Sequence, residues 1–540
     1  MRWWGWGADG HDVALPEQAL AMLRSELGLD PSASTRPVAL EEVRLGASRL
    51  DRSVRERLAR VVGEGHVRDD RAVRVGHAAG RSYPDLVRLR SGNLAGAPDA
   101  VVEPGSADEV RTLLAACADA RVAVVPFGGG TSVVGGVDPV ADGFPAVVSL
   151  DLARLDRVMA VDRTSLTATL EAGLFGPEAE RRLAAEGVTL GHFPQSFEYS
   201  TVGGWVATRS AGQASTGYGR IDELVEGLRL VAPAGEVARR PVPATAAGPD
   251  VRELLVGSEG VLGVICEATL RVRALPAARR YEGWSFRSFA EGHEALRVME
   301  QGDASPDVVR LSDEEETRLS LALASTGSAT ERAGRAYLRM RGHEGGCLAI
   351  VGFEGEEDEV ERRRLHTGAL LRAGGGVLLG RKPGAAWLRG RYAGPYLRDA
   401  LLDHGAFVET LETATSWSNL PTLYAAVGDA LRKSLSERGT PPLIMCHVSH
   451  LYRSGASLYY TFLARQQADV PLDQWRAAKS AACDAIVSNG GTITHHHAIG
   501  RDHAKWLSAE IGEVGVDLIR AAKERLDPVG IMNPGKLLPP

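Results

Sequence analysis

The chain has little of what would place it in several large protein classes. Its five cysteines (Cys117, Cys266, Cys347, Cys446 and Cys483) are odd in number and form no CxxC pair. That argues against a disulfide framework or zinc ribbon and for a reducing compartment. No run approaches the ~18–20 apolar residues that a membrane-crossing helix needs. Net positive charge is missing as well. At a formal charge of −7 a broad nucleic-acid surface is not expected, and an anionic ligand must be met by a few local arginines. The opening Met1-Arg2-Trp3-Trp4-Gly5-Trp6-Gly7 lacks the apolar stretch of a signal peptide. Its tryptophans are expected to cover a core edge, with contact at a lipid interface as the alternative. Repeats, heptads and low-complexity tracts are absent too.

What is present is an ordinary globular composition, 44% hydrophobic and 24% charged, at 540 residues. That length is too great for one core and implies two or three domains. Residues 1–95 read as a charged, mostly helical lead-in. Between 96 and 276, short strands (99–103, 122–126, 146–150, 166–171, 226–231, 263–272) alternate with two helices. One helix begins at a capping box formed by Ser106 and Glu109, and the other is framed by Pro177 and Gly187. Residues 277–490 mix longer amphipathic helices, such as 421–438, with strands at 442–450 and 457–463. Residues 491–540 carry a histidine cluster, a helix and a terminal Asn533-Pro-Gly-Lys-Leu537. The fold class expected is α+β.

The most informative segment is Pro126, Phe127, Gly128, Gly129, Gly130, Thr131 and Ser132, directly after a valine-rich strand. Successive glycines let backbone N–H groups converge on an anion, because no Cβ blocks the approach. A P-loop would need Lys-Ser/Thr after the last glycine, and a Rossmann loop would enter a helix at once. Neither fits. Taken alone, the loop is equally compatible with a structural turn. Three further segments rich in small or hydroxyl residues accompany it: 194–204, 208–219 and 259–265.

The order PFGGGTS, STVGGW, GSEGVLGVI resembles the FAD-binding domain of vanillyl-alcohol-oxidase-type flavoproteins over residues 95–276. The resemblance implies a two-subdomain FAD-binding domain plus an α+β substrate (cap) domain, with FAD held non-covalently. Residues 126–132 would cradle the pyrophosphate. Gln195, Ser196, Phe197, Glu198, Tyr199, Ser200 and Thr201 would line the flavin and ribityl chain. So would Thr208, Arg209, Ser210 and Ala211, and Glu259, Gly260, Val261, Leu262, Gly263, Val264 and Ile265. The tail would return to this domain.

Which reaction runs over the flavin is read from the second half. Gly490-Gly-Thr-Ile-Thr-His495-His496-His497 stands where related 2-hydroxyacid dehydrogenases carry Gly-Glu-His-Gly, and it is similar to alkyldihydroxyacetonephosphate synthases (alkylglycerone-phosphate synthases). A metal site is not expected, on the ground that neighbours on an extended segment face opposite ways. A purely structural cluster is the other alternative. Tyr459 in Arg453-Ser-Gly-Ala-Ser-Leu-Tyr459-Tyr460 matches the family's catalytic tyrosine, with Tyr460 on the other side of the strand. Arg310 matches an arginine needed for activity, and Arg398 one that binds the substrate phosphate. The Thr415-Ser-Trp417-Ser-Asn419 stretch departs from the family's Trp-Asp-Arg, and the peroxisomal signal of the animal enzymes is not evident.

The resemblance implies that acyl-dihydroxyacetone phosphate and a long-chain alcohol are the small-molecule partners. The acyl chain would be exchanged for the alcohol in ether-lipid formation with no net redox change. Tyr459 would move protons, and His495, His496, His497 and Arg310 would be catalytic. An FAD-dependent 2-hydroxyacid dehydrogenase or oxidase is the alternative, and a flavin-fold binding protein without turnover a third reading. A composition with few lysines suggests a bacterial, cytoplasmic protein. Peripheral membrane contact and a homodimer are left open.

Overall fold

Alternating and continuous apolar runs become strands, and the glycine-rich segments become the turns between them. The computed structural model describes all residues except 12, 32–34, 142, 325–327 and 540. Its first sheet has the order Val67–Arg68, Ala100–Val102, Val147–Asp151, Ala123–Phe127. The last three strands are parallel and the first is antiparallel. Both faces of such a sheet are covered, which explains the uninterrupted apolar run of 122–125. A second, antiparallel sheet runs Val158–Asp162, Thr167–Glu171, Val264–Arg271, Val225–Ala232, Gly235–Arg239.

The third large sheet is antiparallel throughout: Val377–Gly380, Ala278–Phe286, Cys347–Gly355, Val308–Ser312, Leu443–Tyr452, Gly455–Arg465, Ala406–Ser416. One face is the largest core, where Leu411, Cys446, Leu458 and Tyr460 meet the helices Leu420–Glu437 and Pro471–Ser488. The other face carries the polar residues described below. Period-two alternation along Gly455–Arg465 therefore sends Tyr459 and Tyr460 to opposite sides.

Three local readings differ from the sequence expectation. The residues before 96 do not stand apart. Val67–Arg68 joins the first sheet, and the helix Glu17–Leu27 packs its Leu23 and Leu27 with Ala406, Val408 and Leu463 of the seven-stranded sheet. At the helix Ala107–Ala120, Ser106 Oγ accepts from the Glu109 N–H at 3.2 Å, but the Glu109 carboxylate accepts from Gly105 rather than from Ser106. The box closes one residue early. The tail helix Leu507–Leu526 is interrupted at Gly512, whose φ of 75° breaks it into two pieces.

The tail then returns to the first sheet. Val124 N–H donates to Ile531 O, and Asn533 N–H to Val124 O, each at 2.8 Å. Trp6 is buried, Trp3 and Trp4 are half-buried, and Trp4 lies under the guanidinium groups of Arg2 and Arg90. The opening segment thus covers a core edge. Among the described residues no helix is long and apolar enough to cross a membrane.

Candidate active site

Cross-strand register builds the centre of the site. Ser312 pairs with His447, His447 with Tyr459, and Tyr459 with Glu412, which puts one row of polar side chains across four strands. Arg310, two residues before Ser312, shares that face. The Tyr459 ring lies between two imidazoles: His447 at 4.9 Å and 21°, and His496 at 5.9 Å and 16°, with His497 edge-on at 5.5 Å. Behind His447, Arg310 Nη2 lies 3.0 Å from His447 Nδ1 and 2.7 Å from Glu316 Oε1. His447 thus stands between Arg310 and Tyr459. Burial pushes the Tyr459 hydroxyl up to about 12, with the Arg398 charge pulling the other way.

The three consecutive histidines are not extended. Their backbone bends around the Glu412 carboxylate, which accepts from His495 N–H at 2.5 Å, His496 N–H at 3.1 Å, His497 N–H at 2.8 Å and Thr494 Oγ1 at 2.6 Å. Burial alone would push this carboxyl up, but the neighbouring imidazoles and the convergent donors hold it well below the ordinary range. At the other end of the loop Glu259 holds the main chain in the same way, although burial pushes its carboxyl up to about 7. Its two oxygens accept from Ile499 N–H at 2.8 Å and Gly500 N–H at 2.7 Å. One carboxylate from each half of the molecule therefore grips the histidine loop.

The bend corrects the reason given for excluding a metal. Ligand nitrogens of His450, His495 and His496 lie within 4.8 Å of one another. They have protein partners already: His450 Nδ1 with Ser215 Oγ at 2.6 Å, His495 Nε2 with the Tyr452 hydroxyl at 2.6 Å, and His495 Nδ1 with His496 Nδ1 at 2.9 Å. Burial lowers the pKa of all three, and lowers that of His497 to about 3, so the cluster is neutral at pH 7.

The glycine loop contributes backbone instead of side chains. A Cβ at Gly128 would lie 2.3 Å from Thr201 Oγ1, and one at Gly129 1.6 Å from Tyr199 O. Gly128 and Gly129 are pressed so closely against residues 199–201 that a Cβ would not fit. Gly130 has φ +64° and sits on the Phe127 ring. Among the described residues, the N–H groups of Gly128, Gly129, Gly130, Thr131 and Ser132 donate to no protein acceptor. Consecutive unpaired N–H groups are what an anion requires.

Most of the other side chains expected at the cofactor are engaged elsewhere. Phe197 is buried among Trp205 and Tyr392, Ser200 accepts from Trp205, and Thr201 caps the helix Val202–Thr208. Ser210 faces His192, Arg209 pairs with Asp222 and Glu253, and Leu262 and Ile265 lie in a hydrophobic core. Gln195 is exposed and donates to Arg391 O. Much of the main chain of these segments is also hydrogen-bonded within the protein, as at Phe197, Tyr199, Ser200, Ser210, Glu259 and Val261, so the free donors are those of residues 128–132.

Arg398, on the helix Gly394–Asp403, is not a surface residue. Its Nη1 donates to Arg81 O at 2.7 Å, while Nε is buried with no partner. The neighbouring Asp399 accepts from Trp6 N–H at 2.5 Å, and Trp6 meets the Tyr199 ring edge-on at 5.5 Å. The opening segment thus bridges Tyr199 and the helix that carries Arg398.

Residues 98–240 match the family described as FAD binding domain, and residues 275–537 match FAD linked oxidases, C-terminal domain. The alkyldihydroxyacetonephosphate synthase of Dictyostelium discoideum is 37% identical over 88% of this chain and 78% of its own length. The chain belongs to the alkyldihydroxyacetonephosphate synthase family. The synthase of Trypanosoma brucei brucei is 36% identical over 90% of this chain and 80% of its own. A crystal structure of an alkyldihydroxyacetonephosphate synthase superposes with a TM-score of 0.86 at 32% identity, covering 99% of this chain and 98% of that one.

The chain is accordingly an FAD-dependent enzyme of this family, with the vanillyl-alcohol-oxidase-type fold. The residues fit the cofactor: five consecutive unpaired N–H groups offer the donors that a pyrophosphate needs, and Gly128 and Gly129 let residues 199–201 approach them closely.

Sequence reasoning missed Glu412, His447, His450, Tyr452 and Arg220. A signal was present, because Glu412, His447 and His450 are polar residues inside strand-like apolar runs, where a buried polar group needs a reason to be there.

Proposed function

We propose that the enzyme exchanges the acyl chain of acyl-dihydroxyacetone phosphate for a long-chain alcohol, with no net redox change. The observation that carries this reading is the Tyr459 ring held between His447 and His496, in a row that Glu412 ties to the histidine loop. The unpaired Nε of Arg398 suits a phosphate oxygen, since an arginine fork matches phosphate geometry. FAD would be held non-covalently by the backbone of residues 128–132, with the segments at 194–201, 208–211 and 259–265 around it. When bound, it supplies a ring that takes up and returns electron density reversibly.

The chain's own residues do the rest. Arg398 holds the phosphate and so fixes the reacting carbon. Tyr459, protonated at pH 7, gives and takes protons there. The neutral imidazoles exclude water and keep the tyrosine ring in place. Glu412 and Glu259 hold the histidine loop to the row.

Anaerobic mixing tests the reading. With acyl-dihydroxyacetone phosphate and a labelled long-chain alcohol, the label should enter alkyl-dihydroxyacetone phosphate and the flavin spectrum should return to its starting form. Lasting bleaching by a 2-hydroxyacid, with no incorporation of label, would assign the chain to hydroxyacid oxidation instead.

A further inference from the structure

The histidine loop connects to a tyrosine outside the catalytic row. Tyr452 ends the strand Leu443–Tyr452, and its hydroxyl lies 2.6 Å from His495 Nε2. His495 Nδ1 is in turn 2.9 Å from His496 Nδ1, and His496 stacks on Tyr459. Beyond Tyr452, the Arg220 guanidinium lies near enough for its charge to oppose the burial that pushes the Tyr452 hydroxyl up, and it is itself fixed by Asp222 at 3.0 Å. The His495 main chain is held by Glu412, and its ring is stacked at 5.0 Å on His450. Neither imidazole can turn without breaking several contacts.

Two facing Nδ1 atoms at hydrogen-bond distance share one proton, which ties the two tautomers to each other. If Tyr452 donates to His495 Nε2, then His495 carries its proton on Nδ1 and donates it to His496 Nδ1. His496 must then carry its own proton on Nε2. That atom meets no protein acceptor among the described residues, and 14% of the His496 side chain stays open.

We propose that Arg220, Tyr452, His495 and His496 form a proton relay that feeds the site beside Tyr459, with Tyr452 as its positioning residue. The inference rests on the exchange reading above. In one transfer, Nε2–H of His496 gives its proton to a basic oxygen of the bound substrate. His495 Nδ1–H passes its proton to His496 Nδ1, and the Tyr452 hydroxyl passes its own to His495 Nε2. Both imidazoles stay neutral with exchanged tautomers, and the negative charge rests transiently on Tyr452, where the Arg220 charge favours it against the burial that pushes this hydroxyl up to about 12. The reverse shift, taking a proton from the incoming alcohol, restores the starting state. The low imidazole pKa values agree with a path that never needs an imidazolium.

Tyr452→Phe keeps the ring and removes the first proton of the chain. In FAD-loaded enzyme it should lower the turnover of alkyl exchange about 10- to 100-fold, less than the ~10²–10⁴-fold of a group that touches substrate. KM for the phosphorylated substrate should stay unchanged, and the proton inventory should fall from several protons to one. In histidine-labelled protein without substrate, the ¹⁵N resonances of His495 and His496 should lose their fixed tautomers. Unchanged turnover and inventory in a variant whose wild-type parent does exchange would overturn the relay. Wild-type protein that catalyses no exchange would instead overturn the reading beneath it, and the ¹⁵N spectra would still judge the hydrogen-bond chain. Exchange activity that is lost to a chelator and regained with zinc would show that His450, His495 and His496 hold a metal, and would also overturn the relay.

Discussion

The two halves of the molecule meet the site with different chemistry. The FAD-binding half offers main chain: glycines pressed against residues 199–201, unpaired N–H groups, and side chains turned into their own cores. The half built on the seven-stranded sheet offers side chains: Ser312, His447, Tyr459 and Glu412 in one register-aligned row, with Arg310 on the same face beside it. A backbone cradle recognises what every cofactor of its kind shares, a pyrophosphate and a flat ring. A row of side chains can be changed one residue at a time, and so carries the choice of reaction. The histidine loop joins the two, gripped by Glu259 on one side and Glu412 on the other.

If that division is right, damage to the first half should cost cofactor and damage to the second should cost turnover. Gly129→Ala is expected to have the largest effect. The new methyl would sit 1.6 Å from Tyr199 O, a backbone atom that cannot rotate away, and overpacking of this kind costs about 1–3 kcal/mol or more. The flavin-to-protein ratio after gel filtration should collapse. Gly428→Ala, in the helix Leu420–Glu437 with open space at its Cβ, should keep its flavin and be slightly more stable. Equal flavin content in the two variants would break the comparison.

Arg398→Ala should leave the flavin spectrum intact and weaken the phosphorylated substrate. Losing a charge-assisted contact costs about 2–4 kcal/mol, or roughly 30- to 1,000-fold in affinity. Titration of the substrate against the flavin absorbance checks this. Glu412→Gln replaces an acceptor of four donors with an amide that offers one oxygen, leaving buried N–H groups unpaired at about 1–3 kcal/mol each. Turnover should fall on the order of 10- to 100-fold while FAD content holds. A loss of flavin here would show that the histidine loop belongs to the cradle. The smallest effect is an absence: with the Tyr459 hydroxyl pushed up to about 12 by burial, the exchange rate should show no tyrosine limb below about pH 10.

The same division decides what was legible in the sequence. The cradle is built from residues chosen for what they lack, so Gly128, Gly129 and Gly130 announce it in linear order, and short turn-bounded strands give the α+β class. The row is built by pairing between strands far apart in the chain. His447 and Glu412 both meet Tyr459 through register, and no local spacing reveals that. Only a family resemblance brought Tyr459, Arg310 and Arg398 forward. The histidine triplet was legible as a cluster but not as a shape, because its bend is imposed by Glu412, which lies more than eighty residues earlier.

The most direct test of the account is a matched pair, Tyr459→Phe and Tyr460→Phe, assayed for alkyl–acyl exchange at equal FAD content. Both remove one hydroxyl from adjacent residues of one strand. Tyr460 is fully buried, and its hydroxyl donates to Tyr424 O at 3.0 Å in the opposite core, so its loss should cost about 1 kcal/mol of stability and leave turnover unchanged. Tyr459 faces the polar row, and its loss should reduce turnover ~10²–10⁴-fold with packing intact. Collapse of exchange in Tyr460→Phe with survival in Tyr459→Phe would contradict the account, as would equal activity in both.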